Sequence, residues 1–221
     1  MRILLIQPDS NKTCIGFKRL AKPEPLGLEM VAASVADHDV RIHDMRVDPD
    51  LVTTLKSFDP ELVGTTGFTA EVPHALEICR QVRSTLPDAK TIVGGHHVSM
   101  SPSEFDRSSV DFLVVGEGEI TFPHLVRALE NGEHPSSVPG IGFRDGGSLK
   151  FTAPRPFVAK LDELPMPRRD LVDQYRPHYF FRFWDNVYAI ETTRGCPYRC
   201  NFCSVWRFFG GKVRFKSPEL V

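Results

Sequence analysis

Five short apolar runs, each followed by a segment of helical period, constrain this chain more than any other feature. The runs are "RILLIQP" (2–8), "VRIHDM" (40–45), "ELVGTTGF" (61–68), "TIVGG" (91–95) and "DFLVVGEGE" (111–119). Helical periods follow or intervene at 26–37, 49–58, 71–86, 101–108 and 120–132, the last ending on Gly132. Near-continuous apolar strands that alternate with helices are buried on both faces, which means a parallel sheet with helices on either side. The expected fold is α/β: a doubly wound, Rossmann-like or flavodoxin-like sheet of five parallel strands over residues 1–137.

From Pro139 the texture changes. "GIGFRDGGSLKFTAP" predicts a β-hairpin turning at Asp145, Gly146 and Gly147. The proline- and charge-rich "RPFVAKLDELPMPRRDLVD" after it has the composition of an ordered linker. Hairpin and linker together span 138–185, and 186–221 opens with one more predicted strand, "VYAIETTRGC" (187–196). With 27 basic against 28 acidic residues the net charge is -1, so there is no global electrostatic case for nucleic acid. "MRILLIQPDS" is too short an apolar run for a signal core or a membrane span. The expected location is therefore the cytoplasm, where thiols stay reduced and clustered cysteines point to metal or catalysis.

In doubly wound sheets, ligands sit beyond the carboxyl ends of the strands. Here the strands run into "QPDSNKTCIG", "TTGFTA", "GGHHVSMSP" and "GEGE". A glycine after one strand is turn chemistry. Glycines and hydroxyls after several strands on one sheet edge point to a shared polar ligand. The dinucleotide fingerprint is missing, because the position after the first strand reads "PDSNKT" without glycine. His96 and His97 are expected on an extended segment, facing opposite ways, with His97 as the functional member.

Three of the five cysteines, Cys196, Cys200 and Cys203, fall within "RGCPYRCNFCSVW". Thiolates suit zinc or an iron–sulfur cluster. A closed zinc site needs four ligands, usually in two paired knuckles, and no second pair follows. Cys14 and Cys79 lie far from this loop, Cys79 as a small buried hydrophobe in a helix. Three cysteines on a four-iron cluster leave one iron open for a substrate.

The spacing Cys196-x3-Cys200-x2-Cys203, flanked by Gly195 and Pro197 and with Phe202 before the last cysteine, resembles the cluster loop of radical S-adenosylmethionine enzymes. "KPEPLGLEMVAASV", "VGGHHVSMSP", "VVGEGE" and "LDELPMPRRDLV" resemble the class in which a cobalamin-binding domain precedes the radical domain. That class includes magnesium-protoporphyrin ester cyclases, hopanoid methylases and phosphonate methylases. The resemblance implies a 4Fe-4S cluster on the three cysteines, S-adenosylmethionine on the open iron, and Phe202 near its adenine. It implies cobalamin against Pro8, Asp9 and Ser10, against Thr65, Thr66, Gly67 and Phe68, and against Gly94, Gly95, His97 and Ser99. The same reading places Gly116, Glu117, Gly118 and Glu119 on that cofactor. Many cobalamin domains carry D-x-H-x-x-G after the first strand; "QPDSNKTCIG" has no histidine, so base-off cobalamin without that ligand is expected.

The family's radical domain is a (β/α) barrel of several units, of which 186–221 would be the first strand and cluster loop. The expectation is thus the N-terminal portion of a longer enzyme, inactive alone. The parent would be a methyltransferase on an unactivated carbon or phosphorus centre, with a small or lipid-like substrate and an external one-electron reductant. The alternatives are an oxidative cyclase of the porphyrin type and, from another class, a cobalamin-binding module whose cysteine loop is structural.

Overall fold

The computed structural model describes residues 1–9 and 20–221. β1 (Arg2–Gln7) shows why the sheet lies in the middle. Its side chains alternate, Ile3 and Leu5 to one face and Leu4 and Ile6 to the other, and all four are buried. A short strand β2 (Ala21–Lys22) leads to α1 (Leu26–Ala33), then β3 (Asp39–Asp44), α2 (Leu51–Phe58) and β4 (Leu62–Thr65). Asp50 caps α2 by accepting from the Thr53 backbone N–H at 3.1 Å. Next come α3 (Val72–Thr85), β5 (Lys90–Val93), α4 (His96–Met100), β6 (Phe112–Val114) and α5 (Gly118–Glu130). Leu28 of α1 and Phe122 and Leu125 of α5 cover the Ile3/Leu5 face. Leu51 and Leu55 of α2, with Ile78 and Val82 of α3, cover the other.

The parallel strands lie in the order β3-β1-β4-β5-β6. This is the flavodoxin-like order, and its switch point falls between β1 and β4. The expected five parallel strands are present, but among the described residues the sheet has seven. The hairpin β7 (Ile141–Asp145) and β8 (Ser148–Phe151) adds to the same sheet, β7 running antiparallel to β6 with Phe112 opposite Phe143. Ile141, Gly142 and Phe143 are buried there, so the hairpin covers what would be an open edge of β6. Its turn is the two residues Gly146 and Gly147, both at positive φ; Asp145, expected in the turn, is instead the last residue of β7, paired with Ser148.

Two local expectations are corrected. The segment expected as a helix over 101–108 holds only a 3-10 turn, Pro102–Phe105, because the α-helix starts earlier, at His96. His96 and His97 therefore sit on the first turn of α4 and not on an extended segment. The strand expected over 187–196 is reduced to β11 (Thr193–Arg194). A strand lasts only as far as its ladder partner, and among the described residues that partner is the two-residue β12 (Arg214–Phe215). Before it, β9 (Phe180–Phe181) and β10 (Trp184–Asp185) form a small sheet with β2. The four-residue α6 (Val205–Phe208) follows the cysteines directly. No helix among the described residues is long and apolar enough to cross a membrane.

Candidate functional site

A cavity of about 230 Å³ opens at the carboxyl ends of β1, β4, β5 and β6, beside the topological switch point. Leu5, Gly64, Ile92 and Val114 form its floor, and Leu28, Val31 and Phe122 of α1 and α5 its side. Gly64 makes the space: a Cβ there would meet the Leu5 side chain at 2.9 Å. The rim is polar, with Thr65, Thr66, Glu117 and Glu119. The far wall comes from the cysteine-bearing end of the chain: Glu191, Arg194, Phe208 and Phe209.

Of the residues singled out from sequence, Thr65, Thr66, Gly94, Gly95 and the whole Gly116–Glu117–Gly118–Glu119 run line this one cavity. The others lie beside it or elsewhere. Pro8 is buried and Asp9 half-buried after β1, while Ser10 lies outside the described residues. The Gly67 carbonyl approaches the His97 backbone N–H, and Phe68 projects outward, 67 % exposed. Ser99 ties loops together, donating to the Gly95 carbonyl at 2.9 Å and accepting from the Gly116 N–H at 2.8 Å. His97 is turned inward, with Nδ1 3.0 Å from the Thr69 hydroxyl and Nε2 3.2 Å from Glu104. Its neighbour His96 faces the cysteine segment instead, 2.7 Å from the Ser204 hydroxyl and against the Phe208 ring. Burial, and then the neighbouring His97, push the His96 imidazole below its ordinary value, which favours its neutral form.

The cysteine loop is held at its start by Gly195. At φ +99° its backbone packs so closely on the Lys212 carbonyl that a Cβ would lie 1.8 Å from that oxygen. Cys196 and Cys203 are half-buried and Cys200 exposed, and all three are free thiols. The Trp206 indole donates to the Cys200 carbonyl at 3.2 Å. The three sulfurs are not gathered: no group of three His, Cys, Asp or Glu side chains among the described residues is arranged to hold a metal ion. Thiolates converge when a cation supplies the opposing charge, so ligand geometry and metal binding form together. Cys79 is of another kind; burial pushes its thiol up to about 12, and it stays protonated.

Sequence reasoning missed Arg194, next to Gly195. Its side chain is 6 % exposed and surrounded by carboxylates: Glu117 at 2.9 Å, Glu119 at 2.5 Å and Glu191 at 2.9 Å. Arg214, directly opposite Arg194 on the β11–β12 pair, also donates to Glu117 at 2.9 Å. Two guanidinium groups facing each other across a strand pair repel; Glu117 between them removes the repulsion. Burial alone would raise the Glu117 carboxyl, but hydrogen bonds from Arg214 and Arg194 outweigh it and hold the group below its usual range. A second seam lies at Glu24, fully buried, which accepts from Arg169, from Arg176 at 2.6 Å and from the Ala189 N–H at 2.8 Å.

A glycine-opened apolar slot with a polar rim suits the flat arm of an amphiphilic cofactor; its volume suits a base and sugar better than a complete corrinoid. The three free thiols on one loop are the donor type of an iron–sulfur cluster. Fold and site thus define a cofactor-binding α/β domain joined to a loop of three cysteines. Residues 12–126 match the family model described as B12 binding domain, and the chain belongs to that family.

Among curated proteins it is similar to the hopanoid C-3 methylase of Methylococcus capsulatus, 35% identical over all of this chain and 43% of that protein. It is also similar to the anaerobic magnesium-protoporphyrin IX monomethyl ester cyclase of Synechocystis, 31% identical over 99% of this chain and 45% of that one. The chain thus spans somewhat under half the length of these relatives. Among solved structures it resembles the cobalamin-dependent S-adenosylmethionine radical enzyme OxsB with aqua-cobalamin bound. The TM-score is 0.77 at 21% identity, over 99% of this chain and 30% of that one, a likeness of fold.

Proposed function

We propose that this chain is the cofactor-binding portion of a cobalamin-dependent radical S-adenosylmethionine enzyme whose parent reaction is methyl transfer. The observation that carries the reading is the shared cavity, walled on one side by the strand-end loops of a B12-binding fold and on the other by the segment holding Cys196, Cys200 and Cys203. Leu5, Gly64 and Phe122 would receive the cofactor's flat tail, and Thr65, Thr66 and the 116–119 loop its polar groups. The three cysteines would carry a 4Fe-4S cluster, with Phe202, 89 % exposed beside them, facing the adenine of S-adenosylmethionine. Bound cobalamin would supply the methyl group, and the cluster one-electron chemistry at its open iron. An external one-electron reductant and a cytoplasmic setting belong to this reading, since the loop needs reduced thiols.

Methyl transfer stands ahead of ring closure because the hopanoid methylase is the more similar relative, at 35% against 31% for the cyclase. The substrate class follows that comparison: a carbon centre of a small or lipid-like molecule.

Anaerobic reconstitution with iron and sulfide tests the cluster half. The wild type and Cys79→Ala retain iron and develop a broad absorbance typical of thiolate-bound clusters, while Cys200→Ala loses it. Equal iron loss in both variants places the cluster elsewhere. Hydroxocobalamin passed with the protein through a desalting column tests the other half. Corrinoid colour travels with the protein; colourless protein contradicts the reading.

A further inference from the structure

We infer that Arg194 is a positioning residue that couples the two cofactor sites, so that filling the strand-end cavity and assembling the cysteine loop favour one another. The inference rests on the reading above and goes beyond it by assigning the link to one side chain.

Arg194 has two neighbourhoods at once. By covalent connection it precedes Gly195 and Cys196, at the end of β11. By hydrogen bonding it belongs to the cavity rim, because Glu117 and Glu119 line the cavity and both hold its guanidinium. Glu117 and Glu119 are fixed in turn at the N-terminus of the 13-residue α5, where the helix end favours negative charge. A shift of the 116–119 loop on ligand binding therefore moves the anchor of the cysteine loop. Gly195 leaves little slack, since its backbone abuts the Lys212 carbonyl.

The network is balanced in charge. Glu117, Glu119 and Glu191 face Arg194, Arg214 and Lys216, each side chain at most 27 % exposed. Burial makes the arrangement all-or-none, because a buried charge without its partner is costly. A planar guanidinium can serve three carboxylates in one plane-directed fork; an ammonium at the same place keeps the charge but not the geometry. Phe208 and Phe209 add an apolar route, because they line the cavity and lie just beyond Cys203. If the two sites are coupled, linkage requires the effect to be reciprocal.

The test measures the dissociation constant of hydroxocobalamin, by the absorbance of the corrinoid, for the full chain before and after cluster reconstitution. In the wild type, reconstitution tightens binding by about tenfold, within the usual span of coupled sites. Arg194→Lys keeps the charge balance, and whatever it does to the affinity for hydroxocobalamin alone, the ratio of the two dissociation constants falls to about one. Glu119→Gln lowers the ratio in the same direction, and the double variant is no worse than Arg194→Lys alone. Circular dichroism on each variant checks the fold. Should Arg194→Lys fail to fold, Glu119→Gln alone decides the matter. A ratio of one in the wild type, or the same tenfold ratio in the folded variants, overturns the coupling while leaving the cofactor reading intact. A wild type that binds no corrinoid or no iron overturns both.

Discussion

The parallel sheet and the segment from Asn186 to Val221 are held by different forces. In the sheet, Ile3, Leu4, Ile6, Leu62, Val93 and Leu113 are fully buried, and helices cover both faces. In the tail the strands are two residues long, and Tyr198, Phe202 and Phe215 are mostly exposed. What fixes the tail is charge: Arg194 and Arg214 on Glu117, and Arg169 and Arg176 on Glu24 with the Ala189 backbone. Apolar burial is non-directional and tolerant, so it suits a scaffold. Buried ion pairs are directional and unforgiving, so they set the position of one part on another. The lesson concerns division of labour: the core makes a platform, and the polar seams place the cysteine loop beside the cavity.

The largest effect belongs to the core. Leu125→Ala removes a fully buried side chain between α5 and the sheet and should cost about 2–5 kcal/mol of global stability. Urea unfolding checks this, and the loss should be the same at pH 5 and pH 8 because no titrating group is involved. A loss confined to the tail, seen as early proteolysis after Asn186 with an unchanged global midpoint, breaks the comparison.

The polar seam should answer to pH instead. Glu29 is fully buried beside Glu24, with Arg169 at 3.8 Å, and among the described residues neither of its oxygens has a hydrogen-bond partner. Burial first, and then the Glu24 charge, push its carboxyl up to about 7. A raised folded-state value means that the protonated form is favoured in the fold. Its contribution is fully present below the unfolded value near 4.5, fades as pH rises toward 7, and is gone above it. Glu29→Gln should therefore gain stability over the wild type across that window, reaching about 3 kcal/mol at pH 8 and about zero at pH 4. Paired urea titrations at the two pH values measure it; a pH-independent difference contradicts the assignment.

The strength of the apolar pattern decided what the sequence made legible. Ile3, Leu4, Leu5 and Ile6 alternate between two faces whatever surrounds them, so five parallel strands could be read in advance. The glycine-rich strand ends could be read too, because the crevice beyond parallel strands is a consequence of winding order. Where the hairpin docks could not, since Phe143 pairing with Phe112 is a tertiary choice. Nor could the partners of Arg194: an arginine before a glycine carries no mark of the glutamates 75 and 77 residues earlier that hold it. The histidines show the same limit. His96 and His97 differ by one position on α4, yet one faces the cysteine segment and the other the core. A signal was available for Gly64, because a glycine inside the strand Leu62–Thr65 marks a close approach or a space.

The central claim is that the cavity at the switch point receives the nucleotide tail of cobalamin. Gly94→Val tests it most directly, because a Cβ at Gly94 meets Val114 at an ordinary 3.5 Å and the added methyls occupy a cavity-lining position. Hydroxocobalamin retained after desalting is measured for wild type and variant at equal protein concentration, with circular dichroism confirming the fold. The account predicts near-stoichiometric retention by the wild type and at least a tenfold loss of affinity in Gly94→Val (about 1.4 kcal/mol). Equal retention by a folded variant would contradict it.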